Sequence, residues 1–360
     1  MKRLVALALP LVLLVAACGD SGPDPSANPK DALISAFENL SEAEGVEIVF
    51  SLDASDETLV AVSEGSLTAE DASKISSSAI TVRTRGRGED AQMEMVATVA
   101  GEDDVTIKVV DQVLYAQIDA QGLVETFGGD PSELDMAASQ AEAQGLGFVR
   151  NAIDGDWIAI EGFKELAEQF TGAAGGDAAM IDQQKFIEDM TKAIEDTSEV
   201  THAGSDDAGD HLVVALSIRD LYTRFSSSIQ GLTGAVPMGG LPPASEIPDE
   251  IVELDVWVAD DQVTQVRLDF LKIAQTFESE PPPEGVEDFG LLLEIEEFGD
   301  EIEAPDDAVE VDAQQLMQTF MGGMGAGGTA PGPSSSFDCS QLEGAPQDVL
   351  DQFADICPGL

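Results

Sequence analysis

The feature that most restricts the fold of this chain is an alternation of apolar and polar residues that recurs in short runs. In the first run, the residues that alternate are Val46, Ile48, Phe50 and Leu52 with Glu47, Val49, Ser51 and Asp53. Because successive side chains of a strand point to opposite faces of a sheet, this run predicts a strand with one buried face.

Similar runs follow along the chain, and short connections rich in turn residues separate many of them. They predict strands at residues 79–84, 92–99, 105–110, 113–118, 157–160, 200–201, 211–218, 253–259, 263–271 and 290–298. Residues 101–104 are expected to form a turn, and tight hairpins are expected at 111–112 and 260–262. This order is typical of a meander of antiparallel strands rather than of repeated βαβ units.

Helices are predicted before the first strand and between some of the later strands. Residues 29–40 place Leu33, Phe37 and Leu40 at helical spacing on one face. Further helices are predicted at residues 121–147, 163–170 and 183–195. The chain is therefore expected to have an α+β fold.

The amino terminus has the three parts of a secretory signal peptide. Lys2 and Arg3 precede an apolar run at residues 4–14, and the sequence Val15-Ala16-Ala17-Cys18 follows it. The apolar run is too short for a helix that spans a membrane. Residues 1–17 are therefore interpreted as a signal peptide, and the chain as an exported protein.

The end of this segment resembles the lipobox of bacterial lipoproteins. The resemblance implies that Cys18 carries diacylglycerol and a further acyl chain such as palmitate, and that the protein is anchored on the extracytoplasmic face of the cell membrane. Residues 18–29, rich in Gly, Ser, Pro and Asp, are expected to form a flexible tether. The alternative is a plain secretory signal that happens to end in Cys.

The charge of the chain excludes one class of partner. The formal net charge is −54, and loss of Lys2 and Arg3 with the signal peptide would make it more negative. Such a surface repels nucleic acids and anionic headgroups. This charge fits a protein that stays soluble in a salty or wall-bound setting. It equally fits a protein that binds a cationic partner.

The remaining chain divides into three parts. Residues 30–312 are predicted to form the main domain, residues 313–336 a helix and a Gly/Ser/Pro linker, and residues 337–360 a small helical tail. Cys339 and Cys357 flank that tail. Since thiols oxidise outside the cytoplasm, the two are predicted to form a disulfide.

The sequence contains no recognisable catalytic motif, and an enzyme is not expected. His202 and His211 lie away from any nucleophile motif, so His211 is interpreted as structural or exposed. The acidic turns at 102–104 and 204–210 lack the spacing of a calcium loop, and no metal or cofactor is predicted. Arg83, Arg85 and Arg87 share one face of an extended segment. They are candidates for an anionic headgroup, or they pair with neighbouring acids such as Glu89 and Asp90.

The order of these features resembles the actinobacterial LppX/LprG lipoprotein family, which is related in fold to the carriers LolA and LolB. The resemblance depends on segments spread from residue 30 to about 311. They are the helix at 31–40 leading into 46–52, Val113-Leu114-Tyr115-Ala116, Trp157-Ile158-Ala159-Ile160, Asp255-Val256-Trp257-Val258 leading into Val266-Arg267-Leu268, and Phe298-Gly299 followed by Ile302-Glu303-Ala304-Pro305. The chain departs from the family in its length, its acidity and its tail.

The resemblance implies a curved antiparallel half-barrel, with helices over its concave face and an apolar cavity that takes the acyl chains of a lipid or lipoglycan. The alternation itself does not distinguish a cavity from a packed core. The alternative function is therefore a structural or interaction lipoprotein with a filled core and an acidic surface that binds a partner. The candidate cavity residues are Leu33, Phe37, Leu40, Ile48, Phe50, Met95, Ile107, Leu216, Val256, Leu268 and Leu293.

Overall fold

The computed structural model describes residues 22–313 with several gaps. The described ranges are 22–63, 66–143, 145–162, 191–192, 194–195, 199–220, 223, 249–277, 285–286 and 288–313. Cys18, Cys339, Cys357, the helix predicted at 163–170 and most of the helix predicted at 183–195 lie outside these ranges. The predicted domain boundaries and the predicted disulfide stay predictions.

Twelve strands form one open sheet within the described residues. Their spatial order is β12-β6-β5-β4-β3-β2-β1-β11-β10-β9-β8-β7, and every pair is antiparallel except β12 with β6. The chain thus has the predicted α+β class and the predicted curved antiparallel half-barrel. The strands are β1 Gly45–Asp53, β2 Ala79–Arg85, β3 Gln92–Val99, β4 Glu102–Val110, β5 Val113–Ile118, β6 Ile158–Glu161, β7 Glu199–Asp206, β8 Gly209–Ser217, β9 Ile251–Ala259, β10 Gln262–Asp269, β11 Gly290–Glu297 and β12 Val309–Asp312.

The described helices are short. They are α1 Pro29–Glu42, α2 Asp56–Val62, α3 Ala69–Ser76, α4 Ala120–Thr126, α5 Ser132–Ala143, α6 Phe148–Ile153 and α7 Phe270–Phe277, with a 3₁₀ turn at Gly88–Asp90. No helix among the described residues has the length and apolar character needed to cross a bilayer.

Several predicted boundaries were wrong, and the local sequence explains why. The single helix expected at 121–147 is two helices, α4 and α5, because Gly128 adopts a positive φ angle of 72° and interrupts it. Gly145, with a φ angle of 85°, follows α5 and precedes α6. The turn expected at 101–104 is shorter, since β4 begins at Glu102. The strand expected at 263–271 ends at Asp269, where a carboxylate oxygen accepts hydrogen bonds from the first turn of α7.

Several elements were not predicted, among them α6 and α7. The helix α2 begins after Ser55, whose hydroxyl accepts a hydrogen bond from the Thr58 amide, and α3 begins after Thr68, which caps the Asp71 amide in the same way. The parallel edge strand β12 was also missed. Four residues are too few for an alternation to be recognised.

The hairpins agree with the sequence. Asp111 and Gln112 join β4 to β5, and Asp260 and Asp261 join β9 to β10. All four residues have positive φ angles between 51° and 65°. This is the geometry of tight two-residue turns that match the twist of antiparallel strands.

The register places apolar side chains of all the strands on one face of the sheet, here called the apolar face. Ile48 lies opposite Ile295 of β11 and Val82 of β2, and Val82 lies opposite Met95 of β3. On the other side of β1, the pairing continues to β7 at the edge. The opposite side, here called the polar face, carries Glu47, Arg83, Glu94, Lys108 and their neighbours.

The helix α1 packs on the apolar face against β7 and β10. Its buried residues include Leu33, Phe37 and Leu40, and they join the buried side chains of β8, β9 and β10 in one core cluster. The prediction that residues 29–40 present one apolar face is therefore confirmed. The helix covers only one part of the sheet.

Replacement of Leu33 by Ala should lower the free energy of unfolding by about 2–5 kcal/mol, because Leu33 is fully buried and its loss leaves a cavity. Met136→Ala is the control, since Met136 is 70% exposed on α5 and should change stability by less than about 0.5 kcal/mol. Urea denaturation would measure both. Equal midpoints for Leu33→Ala and the parent would contradict the packing of α1.

Candidate functional site

The apolar face divides into two parts that differ in burial. Beneath α1, apolar side chains that β8 and β9 turn to this face, together with Val263 of β10, are sealed from solvent. This part, here called the filled half, contains Leu212, Val214, Leu216, Val252, Leu254, Val256, Val258 and Val263, none more than 7% exposed. It is a packed core.

The second part lies on β1 to β5 and is here called the open half. Most of its apolar side chains are only half-buried, and Ile80 is 45% exposed. Its members are Ile48, Phe50, Ile80, Val82, Met93, Met95, Ala97, Val105, Ile107, Leu114 and Ala116. An apolar surface of this extent is more than the scattered exposed residues of an ordinary protein surface, and such patches mark sites of interaction.

All eleven candidate cavity residues lie on the apolar face or on the helix that covers it. Leu33, Phe37, Leu40, Leu216 and Val256 belong to the filled half and its cover. Ile48, Phe50, Met95 and Ile107 belong to the open half. Leu268 and Leu293 lie on β10 and β11, between the two halves, and both are half-buried.

Arg83, the first headgroup candidate, lies on the polar face and pairs with carboxylates there. Its Nε donates to Glu47, and its Nη1 lies 2.8 Å from Glu94 Oε2. Lys108 Nζ lies 3.1 Å from the other oxygen of Glu94. Burial acts to raise the pKa of Glu94, but hydrogen bonds from the two cations outweigh it and lower the pKa below its ordinary value.

Arg85 and Arg87 are also engaged by the protein. Arg85 Nη2 donates to Glu44 Oε1 at 2.6 Å, and Arg87 Nη2 donates to the Ser41 carbonyl oxygen at 2.6 Å. The structure thus brings these guanidinium groups to carboxylates and a carbonyl, and Arg83 and Arg85 lie on the face opposite to the candidate cavity residues. Their role toward an anionic headgroup stays a prediction.

Both histidines contact aspartates in the part of the chain that the structure describes. His211 stacks on Trp257 at 4.6 Å between ring centroids, and its Nε2 lies 2.8 Å from Asp255 Oδ1. His202 Nε2 lies 3.1 Å from Asp210 Oδ1. These contacts fit the interpretation of His211 as structural or exposed.

A cleft of about 460 Å³ lies at β4 and β5, with strand residues of the polar face in its wall. Thr106 and Gln117 in its wall are paired on the polar face. The residues that line it are Asp103, Asp104, Thr106, Gln117, Asp119, Gln121, Ile153, Asp154 and Gly155. A cleft with so many carboxylates does not suit an acyl chain.

Asp104 is the buried acid of this cleft, with only 3% of its surface exposed. Burial raises the pKa of its carboxyl above the ordinary value, and the negative charges of Asp119 and Glu102 add to the effect. A hydrogen bond of 3.1 Å from the Val99 amide to Asp104 Oδ2 acts in the opposite direction.

Asp104→Asn should raise the free energy of unfolding at neutral pH. The raised pKa means that the folded state holds the proton more tightly, so the stability linked to this group is present below pH 3.8 and is lost as the pH rises through the folded pKa. The gain of the variant over the parent should therefore shrink as the pH falls from neutral toward 3.8, the ordinary value of the group. Urea midpoints at several pH values would measure it.

Asp103→Asn is the matched control, because Asp103 is the exposed neighbour on the same strand. It removes the same charge from the same acidic surface. A pH-dependent gain of equal size in both variants would contradict the role of burial at Asp104.

Comparison with known proteins gives structural matches alone. No family model matches the chain, and no curated protein sequence matches it. Among solved structures, the chain is similar to LprF from Mycobacterium bovis, with 10% identity, a TM-score of 0.36, and coverage of 80% of this chain and 100% of that one. It is also similar to the Mycobacterium tuberculosis lipoprotein LppX, with 10% identity, a TM-score of 0.32, and coverage of 79% and 100%. LppX gives its name to the family that the sequence resembles, but scores this low carry no conclusion about activity or ligand.

Proposed function

We propose that this protein is an exported lipoprotein, anchored through Cys18 on the extracytoplasmic face of the cell membrane, that carries acyl chains of a lipid or another hydrophobic ligand. The observation that supports the proposal is the open half. It continues the packed core of the filled half onto strands whose apolar side chains remain half-exposed.

The energy of such binding comes from the removal of apolar surface from water. Each buried methylene contributes about 0.8 kcal/mol, so ten methylenes laid on the open half would contribute about 8 kcal/mol before the cost of ordering the chain. Met93 and Met95 add unbranched, polarisable side chains that adapt to ligands of different shape. The surface therefore suits flexible chains better than a rigid polar molecule.

The two halves give the sheet two functions in this proposal. The filled half supplies the stability of the fold, because α1 seals it. On β1 to β5, Val46 and Val109 are buried, but the half-buried members of the open half contribute less to the core and can meet a ligand. The alternative, a structural or interaction lipoprotein, requires that the open half contribute to stability in the same way as the filled half.

Substitution of Ile107 by Gln should test the open half directly. In an anchor-free chain with Cys18 replaced by Ser, Ile107→Gln should weaken binding of a fluorescent fatty acid by about tenfold, because it places an amide on the apolar face. Its unfolding free energy should fall by less than about 1.5 kcal/mol, since Ile107 is only half-buried. Fluorescence titration and urea denaturation would be measured on the same preparation.

Two controls accompany this variant. Thr106→Gln changes the neighbouring residue, which lies on the polar face, and should leave fatty-acid binding unchanged. Val256→Gln places the same amide in the filled half and should cost several kcal/mol of stability. A parent that binds no fatty acid, together with a stability loss for Ile107→Gln as large as for Val256→Gln, would favour the interaction lipoprotein.

The anchor is tested separately in a bacterial host that processes lipoproteins. Cys18→Ala should leave the precursor without acyl chains, because only the sulfur of Cys18 accepts the diacylglycerol in the proposed pathway. The variant should leave the membrane fraction, and intact-mass measurement should show an uncleaved, unacylated chain. Membrane association and processing equal to those of the parent would show that the anchor is elsewhere.

A further inference from the structure

The two ends of the sheet differ in structure. At one end, here called the turn end, tight polar turns connect the strands: 111–112, 207–208 and 260–261. At the other end, here called the helix end, β1 leads into α2, α3 leads into β2, and β5 leads into α4. On the apolar face, the exposed residues Ile80 of β2 and Ile118 of β5 lie near the helix end.

The exposed large apolar side chains of the described residues are concentrated there. Five of the seven lie at this end and are here called the apolar port. They are Val62 of α2, Ile75 of α3, Ile80 of β2, Ile118 of β5 and Phe127, which directly follows α4. Ile80 belongs to the open half, and Ile118 lies opposite Val105 of the open half near this end. The other two exposed residues are Met136 on α5 and Ile251, which the register places on the polar face of β9.

A hydrogen bond joins α3 to the end of α4. Lys74 Nζ donates to the Thr126 carbonyl oxygen at 3.0 Å. Ile75 and Phe127 directly follow these two residues in the sequence. Phe127 is 71% exposed, so the largest side chain of the port projects into solvent at the helix end.

The tether approaches the sheet at its opposite end. The amide of Gly22 donates to Asp261 Oδ2 at 3.2 Å, and Asn39 Nδ2 donates to the Asp261 carbonyl oxygen at 2.8 Å. Asp261 lies in the β9–β10 turn at the turn end. From there, β10 runs for about 23 Å toward the helix end at roughly 3.3 Å per residue.

Cys18 lies four residues before Gly22, and an extended chain of that length spans at most about 14 Å. A lipid anchor on Cys18 therefore holds the turn end close to its membrane. The port, at the far end of the strands, is beyond the reach of this short tether.

The charge around the port limits the lipids that it can approach. The first turns of α2 and α3 carry Asp56, Glu57, Glu70 and Asp71. Lys74 pairs with Glu70 at 3.0 Å, so its charge is offset locally. Like charges repel anionic headgroups at low salt.

We propose that the apolar port is where acyl chains enter and leave the open half, and that it faces away from the anchoring membrane toward a separate lipid surface that is neutral or zwitterionic. This inference rests on the proposed carrier function. It assigns the direction of exchange: the protein is held by one membrane at the turn end and exchanges lipid at the helix end with another surface.

The first experiment tests the port. The anchor-free chain takes up fluorescent phosphatidylcholine from vesicles, and the rate of uptake is compared for Phe127→Asp and Met136→Asp. Both residues are about equally exposed, 71% and 70%, so neither variant should unfold the protein. Phe127→Asp should slow uptake by about tenfold while the final amount of bound lipid stays the same, and Met136→Asp should match the parent.

The outcomes separate the two proposals. A parent that takes up no lipid overturns both the carrier function and the port. A parent that takes up lipid, with equal rates for Phe127→Asp and Met136→Asp, overturns the port alone.

The second experiment tests direction. The acylated protein is placed in vesicles that contain the fluorescent lipid, with the native tether or with twenty Gly/Ser residues inserted between Asp20 and Ser21. The native tether should give no extraction from the protein's own vesicles and clear uptake from added vesicles, whereas the long tether should allow both. Extraction from the protein's own vesicles at the same rate with either tether would overturn the orientation.

The added vesicles also test the charge argument. Uptake from phosphatidylcholine vesicles should be several-fold faster than from phosphatidylglycerol vesicles at low salt, and the difference should shrink at 0.5 M salt as the charges are screened. Faster uptake from phosphatidylglycerol would overturn the assignment of a neutral or zwitterionic surface.

Discussion

The structure depends on the requirement that all its strands present their apolar residues to the same face. A shift of β1 by one residue would turn Ile48 and Phe50 to the polar face and bring Glu47 onto the apolar one. The same shift would separate Glu47 from Arg83. Packing on one face and ion pairs on the other therefore favour the same register, and the open half keeps its geometry although no described helix seals it as α1 seals the filled half.

The sequence predicted elements whose pattern is long enough to be recognised. The alternation located most of the strands and the helical spacing located α1, because burial of one face imposes these periods on the sequence. It did not locate α2 and α3, although Ser55 and Thr68 were available as capping signals, because helices this short have a weak apolar period. The partners of Arg83 could not be predicted, since Glu47 and Glu94 become its neighbours only through the register of three strands.

The candidate site shows a different limit of sequence reasoning. Val256 in the filled half and Ile107 in the open half belong to strands with similar apolar patterns, and both were predicted to face inward. What separates them is the presence of α1 over one and not over the other. Whether a helix covers a strand residue depends on where the helix docks in three dimensions. The apolar alternation within the strand does not indicate that position. The exposed Phe127 and Ile80 were missed for the same reason.

An open sheet has two edges, and among the described strands these are β7 and β12. Unpaired edge strands invite association with other chains. Here β12 has only four residues, two of them Glu310 and Asp312, and β7 has a register shift between His202 and Gly204 and acidic residues at both ends, Glu199 and Asp206. The acidity of the chain thus has a local consequence: like charges on the two edges act against the pairing of one copy's sheet with another's.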